Sequence, residues 1–174
     1  MDVLPLENGG LRLLEVPTGF YEQLSMLPKV CEPGDDETIQ RRLFPSPIDA
    51  EEEGDLRTSA EEDWTDFVRP ELEAAFDSDM LMVMTDLADA EVSEETDEEV
   101  YYQIEIAGAH SSSWFQVLNR ARIVLSLRHR LPFSEYPLEE GETVALERLL
   151  ASHLSDTYAG IMELLVRQMS EDLN

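Results

Sequence analysis

A helix predicted from Ser112 to about Leu131 is the part of this sequence that most constrains the fold. At about 100° per residue, one broad side of that helix is apolar. It consists of Trp114, Val117, Leu118, Ala121, Val124 and Leu125, while Phe115, Ile123 and Leu127 lie elsewhere on the circumference. A helix that is apolar on several sides is packed by neighbours all round. We therefore predict a helical bundle around a central helix at about 112–131.

Two segments carry strand signals. In residues 1–17, apolar residues lie on both sides of Asn8-Gly9-Gly10, and Asn-Gly is the strongest short signal for a β-hairpin. Residues 100–106 alternate between apolar and polar side chains, which is typical of a strand. Together they predict a small antiparallel sheet. The fold class is therefore α+β and predominantly α-helical.

The other helices are predicted from apolar spacing and from their boundaries. A short helix at 18–27 is expected to end at Pro28, and another is possible at 37–43. A long helix is predicted at 59–87 and begins with a capping box. At Pro70 we expect either a kink in this helix or a boundary between two successive helices. A last helix begins at Thr143.

We predict one domain over residues 1–174, with acidic flexible loops near 49–57 and 89–99. The hydrophobic fraction of 43% is that of a globular protein. No apolar run reaches the roughly 20 residues of a membrane span, and the N-terminus lacks the features of a secretory signal. With Cys31 as its one cysteine, the chain fits a reducing compartment, and we expect a cytoplasmic protein.

The chain is strongly and unevenly acidic, with 39 acidic residues, 12 basic residues and a net charge of −27. Between Arg69 and Arg120 there are thirteen carboxylates and no basic residue. Such a surface repels phosphate backbones and anionic lipids, so we expect neither nucleic-acid nor membrane partners. Two explanations stay open. The acidity serves solubility or a salty cytoplasm, or it forms a recognition surface.

The motifs of common enzymes are missing from the sequence. The three histidines lie on three different segments, so no metal site is expected, and no motif indicates a cofactor. The serines at 111–113 have the pattern of a helix cap rather than of a nucleophile elbow. Acidic neighbours should raise the pKa of Cys31, which makes it a poor nucleophile. The sequence thus leans against an enzyme.

Arg128 is the most unusual residue of the central helix, because it falls on the apolar face. A guanidinium there should find a carboxylate or a row of backbone carbonyls. One interpretation is structural: Arg128 extends its charged end to solvent or forms a buried ion pair. The other is a recessed anion or carboxylate site built on Arg122 and Arg128. The candidate binding residues are therefore Trp114, Asn119, Arg122 and Arg128, with a structural role as the alternative.

The central helix also resembles a known family. Its Trp114, the Leu118-Asn119 pair, Arg122 and Arg128 are similar in order to a helix of a bacterial family, domain-of-unknown-function family 2017. Tyr158, with the apolar residues that follow it, matches a later part of that family's pattern, whereas Ser126 stands where the pattern has Gly. The resemblance implies a small, mostly helical cytoplasmic protein without an assigned activity. Members are often encoded beside the adaptor of the Clp protease, which implies an accessory role in regulated proteolysis.

Two hypotheses about function follow. The first is a non-enzymatic binding or regulatory module that contacts a basic or apolar surface of a protein partner. The alternative is an enzyme or small-ligand binder that uses Arg122 and Arg128, with Asn119, in a recessed pocket.

Overall fold

A computed structural model describes residues 2–7, 9–46, 55–131 and 146–171, and for residues 55–58 and 171 it describes the backbone alone. The four strands are β1 (Asp2–Pro5), β2 (Leu11–Pro17), β3 (Glu91–Glu95) and β4 (Val100–Ile106). The α-helices are α1 (Thr18–Ser25), α2 (Leu27–Cys31), α3 (Glu37–Leu43), α4 (Asp55–Asp63), α5 (Arg69–Ala88), α6 (Ser111–His129) and α7 (Leu146–Glu171). The fold is α+β and predominantly helical, as predicted.

The predicted hairpin and the strand at 100–106 form one antiparallel sheet, in the order β1-β2-β4-β3. The loop of the hairpin lies between the paired residues Pro5 and Leu11, and Gly9 has a φ of 76°. Gly10 follows in close contact with β4, because a Cβ at this position would overlap the backbone carbonyl oxygen of Ile106. Glycine is therefore required there by backbone packing.

A β-bulge in β2 shifts the alternation of its buried and exposed side chains by one residue. Leu11 and Leu13 are buried two residues apart, but the next buried residue is Val16, three residues further on. Glu15 takes up the extra residue, with a φ of 50°, where the register with β4 shifts. The bulge returns Val16 to the buried face of the sheet.

The prediction of a loop over residues 89–99 is wrong for residues 91–95, which form strand β3 beside β4. All five residues of β3 are exposed, so the strand has no buried face and therefore no apolar alternation. Its backbone is ordered by hydrogen bonds to β4. The carboxylates of this edge strand also discourage another strand from pairing with it.

Pro28 does not end the first helix. Helix α1 ends at Ser25, and Pro28 lies in the first turn of α2, where its missing N–H costs no hydrogen bond. The predicted helix at 37–43 is confirmed as α3, and Asp36 caps it by accepting hydrogen bonds from two backbone amides. Phe44, which follows α3, is buried.

The long helix begins at Asp55, four residues before the predicted capping box, so residues 55–57 of the predicted acidic loop are helical. The rest of that predicted loop, 49–54, lies outside the described residues. The expected irregularity at Pro70 is present as a π-helical turn from Trp64 to Val68, after which α5 starts with the proline in its first turn.

The central helix is confirmed as α6. All six residues of its predicted apolar face are buried, and helices α2, α3, α5 and α7 pack around it. The buried cluster also includes the inward side chains of β2 and β4, so the sheet and the helices share one hydrophobic core. That the whole range 1–174 forms one domain stays a prediction.

Candidate functional site

The four predicted site residues, all on α6, have different surroundings. Trp114 is fully buried in the core. Arg128 is exposed at the other end of the helix, where its Nη2 donates a hydrogen bond of 2.6 Å to the carbonyl oxygen of Glu32. The backbone partner expected for this guanidinium is thus found, near the surface. Asn119 and Arg122 lie between these two and line a cleft.

The cleft, with a volume of about 580 Å³, lies where α6, α7 and the end of α3 meet. Its polar lining from α6 and α7 consists of Asn119, Arg122, Ser126, Ser152, Ser155 and Asp156. An apolar wall is formed by Ile123, Leu127 and Leu131, and Arg42 comes from α3. The α6 residues recur at spacings of three and four, so they share one helix face. Arg128 is not among the described lining residues. The second arginine beside Arg122 is Arg42, whereas the sequence predicted Arg128 in that position.

The two arginines of the cleft differ from three other arginines of the chain. Arg12, Arg41 and Arg69 each pair with a glutamate at 2.7–3.2 Å. Among the described residues, neither Arg42 nor Arg122 has a carboxylate within ion-pair distance, although Asp156 lines the same cleft. The Nε atom of Arg122 is buried without a hydrogen-bond acceptor in the described part of the chain. The cleft therefore holds two guanidinium groups with unused hydrogen-bonding capacity.

A buried carboxylate connects α5 to the start of α6. The side chain of Asp86 accepts a 2.8 Å hydrogen bond from Nε1 of Trp114 through one oxygen. Its other oxygen lies 2.8 Å from Nδ1 of His110. Asp86 is only 8% exposed, so these two partners satisfy a group that would be costly to bury alone. This network accounts for Trp114 as a structural residue.

Arg120 contacts three other segments of the chain. Its guanidinium lies 3.6 Å from the ring centroid of Phe76 and 5.1 Å from that of Phe44, and it donates to the carbonyl oxygen of Cys31. Burial lowers the pKa of Arg120, as expected for a partly desolvated cation. Stacking on two aromatic rings offsets part of that cost. Arg120 therefore points inward, although it lies off the predicted apolar face of α6.

Burial also determines the chemistry of Cys31. Desolvation raises the pKa of its thiol to about 12, and the charge of Arg120 opposes that shift only in part. The sequence analysis predicted the direction correctly but attributed it to acidic neighbours. A thiol that is buried and protonated at neutral pH is a poor nucleophile.

A second feature is the apolar stripe, which we define as Phe67, Val68 and Leu72 at the junction of the π-turn and α5. Their apolar spacing, which is part of the pattern that predicts the helix at 59–87, is that of a buried helix face. Their exposed fractions are instead 66%, 39% and 43%. The same helix becomes buried only further along, from Phe76 to Leu87, where it packs on α6 and the sheet. The N-terminal half of the helix therefore leaves its apolar side chains in contact with solvent.

Two other kinds of site have no candidate among the described residues. They contain no group of three or more His, Cys, Asp or Glu side chains placed to hold a metal ion. In the same part of the chain, no helix is both long and apolar enough to cross a membrane.

Comparison with known proteins gives one match. Residues 11–169 match the family described as "Domain of unknown function (DUF2017)". The chain belongs to this family. No curated protein and no solved structure matches the chain. The match spans β2 to α7, and it includes the cleft, the apolar stripe and the Asp86 network of this DUF2017 chain.

Sequence reasoning missed two residues of this DUF2017 protein that the structure makes prominent. Arg42 lies on a short helix of weak pattern, and only the packing of α3 against α6 brings it to Arg122. Asp86 is one of many carboxylates in an acidic chain. The only indication in the sequence that it is buried is its position between apolar residues at 83 and 87.

Proposed function

We propose that this protein is a non-enzymatic binding or regulatory module that binds a protein partner through the apolar stripe. The observation that supports the proposal is the exposure of Phe67, Val68 and Leu72 on a helix whose later turns are buried. Large apolar side chains that cluster on a surface and are surrounded by polar residues are typical of protein–protein contact sites.

The charge around the stripe favours a basic partner. Residues 61–77 contain seven acidic residues and one arginine, which gives a net charge of −6. That arginine, Arg69, is already paired with Glu73 and lies over the ring of Phe44. We therefore infer a partner segment that combines apolar and basic residues, such as a basic amphipathic helix. A second copy of this chain fits less well, because each copy has a net charge of −27.

The resemblance noted above adds a narrower proposal. It points to a cytoplasmic partner in regulated proteolysis, in a bacterial cell. The support for this step is the family relationship and not the geometry of the stripe.

The proposal can be tested with a helical probe peptide that has leucines on one face and lysines on the other. We expect the wild-type protein to bind the peptide, and Phe67→Ser and Leu72→Ser to weaken binding about tenfold or more, since each removes a buried apolar contact. Leu81→Ser is the matched control. Leu81 is 70% exposed on the same helix, but it lies about two and a half turns from Leu72 and therefore on the opposite side of the helix. Fluorescence anisotropy of the labelled peptide gives the affinities.

Equal affinities for all three variants would contradict the proposal, because the attraction would then be due to charge alone. A peptide that does not bind the wild-type protein would contradict it as well. Sedimentation of the protein alone addresses self-association. A dimer that Leu72→Ser dissociates and Leu81→Ser does not would replace the basic partner by a second copy.

The alternative function, a small-ligand site on Arg122, is favoured by the cleft. There the second arginine is Arg42 rather than Arg128.

A further inference from the structure

We propose that the cleft between α3, α6 and α7 binds the carboxylate of a ligand whose remaining part is apolar. Arg42 and Arg122 would bind the carboxylate, and Ile123, Leu127 and Leu131 would contact the apolar part. This site is separate from the apolar stripe, and the inference specifies the ligand class of the alternative function, the small-ligand site on Arg122.

The first argument is the state of the two arginines. Arg12, Arg41 and Arg69 of this acidic chain each pair with a glutamate, and Arg120 and Arg128 each donate to a backbone carbonyl oxygen. Arg42 and Arg122 have no such partner in the described part of the chain, yet they come from different helices to one recess. Guanidinium groups form two parallel hydrogen bonds with a carboxylate, which gives both affinity and orientation.

The second argument is the composition of the rest of the cleft. The amide of Asn119 and the hydroxyls of Ser152 and Ser155 supply further polar atoms beside the arginines. The volume of about 580 Å³ lies within the range of roughly 300–1,000 Å³ that small-ligand sites have. Polar groups that orient a ligand beside an apolar wall are the usual components of such sites, and here seven of the ten described lining residues are polar.

The charge of the surroundings distinguishes a carboxylate from a phosphate. Asp156 lines the cleft, and the whole chain has a net charge of −27. A phosphate group carries a charge of about −1.5 to −2 near neutral pH and is repelled more strongly than a carboxylate with its single charge. The apolar wall adds binding energy only for a ligand that has an apolar part. Both observations favour a monoanionic carboxylate.

Two kinds of ligand combine a carboxylate with an apolar part in this way: a free acylated amino acid and the C-terminal residue of a peptide. We would therefore measure binding of N-acetyl-leucine, of a pentapeptide ending in leucine, of the C-terminal amide of each, and of inorganic phosphate. Calorimetry on the full chain gives the affinities. We expect the two carboxylates to bind and their amides to bind at least tenfold more weakly, because the amide lacks the charge that the arginines recognise. The tighter carboxylate identifies the source.

Variants locate the site. Arg42→Gln and Arg122→Gln should each weaken carboxylate binding about tenfold or more, since each removes a charged hydrogen-bond donor. Arg41→Gln is the matched control on the same helix, because Arg41 pairs with Glu37 and does not line the cleft. Arg128→Gln, at an arginine that the sequence analysis included in the site, should also leave binding unchanged. Circular dichroism confirms that each variant is folded, and Arg42, which is exposed, provides the test if Arg122→Gln does not fold.

Each outcome decides the proposal. Loss of binding in Arg42→Gln and Arg122→Gln, with Arg41→Gln and Arg128→Gln unaffected, supports it. Amides that bind as well as acids, phosphate that binds better than either acid, or no binding of any probe would each overturn it. Substitutions in the apolar stripe should leave carboxylate binding unchanged, so this proposal and the proposed function can fail separately.

Discussion

The hydrogen bonds of Asp86 give the sharpest test of how the core is held together. Replacing Asp86 by Ala leaves the indole N–H of the fully buried Trp114 without its acceptor. Replacing it by Asn keeps the shape. An asparagine oxygen can accept from Trp114 while its amide donates to Nδ1 of His110, provided that the histidine takes its other tautomer.

The magnitudes follow from the burial of the partners. A hydrogen bond to a charged group contributes about 1.5–3 kcal/mol, and an orphaned buried N–H costs about 1–3 kcal/mol. His110 is partly exposed, so water replaces part of its interaction. Removing the desolvated charge recovers some of the loss. We therefore expect Asp86→Ala to lower the free energy of unfolding by about 2–4 kcal/mol, and Asp86→Asn to lower it by about 1 kcal/mol.

Urea unfolding followed by far-ultraviolet circular dichroism measures these differences. Asp89→Ala is the control, because Asp89 is an exposed carboxylate at the end of the same helix, and its loss should change stability by less than about 0.5 kcal/mol. The double variant of Asp86→Ala with Trp114→Phe isolates the interaction between the two side chains. If the two losses are additive within about 0.5 kcal/mol, the hydrogen bond does not stabilise the fold and the reasoning is refuted.

Three further predictions concern other parts of the structure. Gly10→Ala should destabilise the protein by more than about 2 kcal/mol, because the added Cβ would overlap the backbone of β4. Gly160→Ala has open space around it and should stabilise α7 by up to about 1 kcal/mol. Thermal unfolding compares the two variants, and equal shifts in their melting temperatures would disagree with the geometry. Burial raises the pKa of the Cys31 thiol from its ordinary value of 9.0 to about 12, so the unfolded state loses this proton first and the free energy of unfolding should decrease as pH rises between these values. Cys31→Ala should reduce that slope by about 1.4 kcal/mol per pH unit in alkaline urea titrations, and an unchanged slope would contradict a buried, protonated thiol. Arg120→Met should cost about 1–3 kcal/mol in urea unfolding through its lost contacts with Phe44 and Phe76, and a Met variant as stable as the wild type would show that packing of the stem suffices.

Much of the fold follows from local patterns in the sequence. The face of α6 from Trp114 to Leu125 is buried as predicted, because its apolar spacing leaves only one way to shield those side chains. Strand β4 was found because a half-buried strand alternates, and the hairpin was found because Asn8-Gly9 between apolar residues is a strong turn signal. Strand β3 was missed because an exposed edge strand needs no apolar face, and only its hydrogen bonds to β4 define it.

The candidate site divides in the same way. That Arg122 and Asn119 lie on one side of α6 follows from helical spacing alone. That Arg128 lies outside the cleft, and that Arg42 lies in it, depends on where α3 packs. The sequence by itself determined which side chains must leave water and the periodicity with which they do so. The tertiary structure alone decided which distant side chains meet, because the relative placement of helices depends on the packing of the whole core and not on any local pattern.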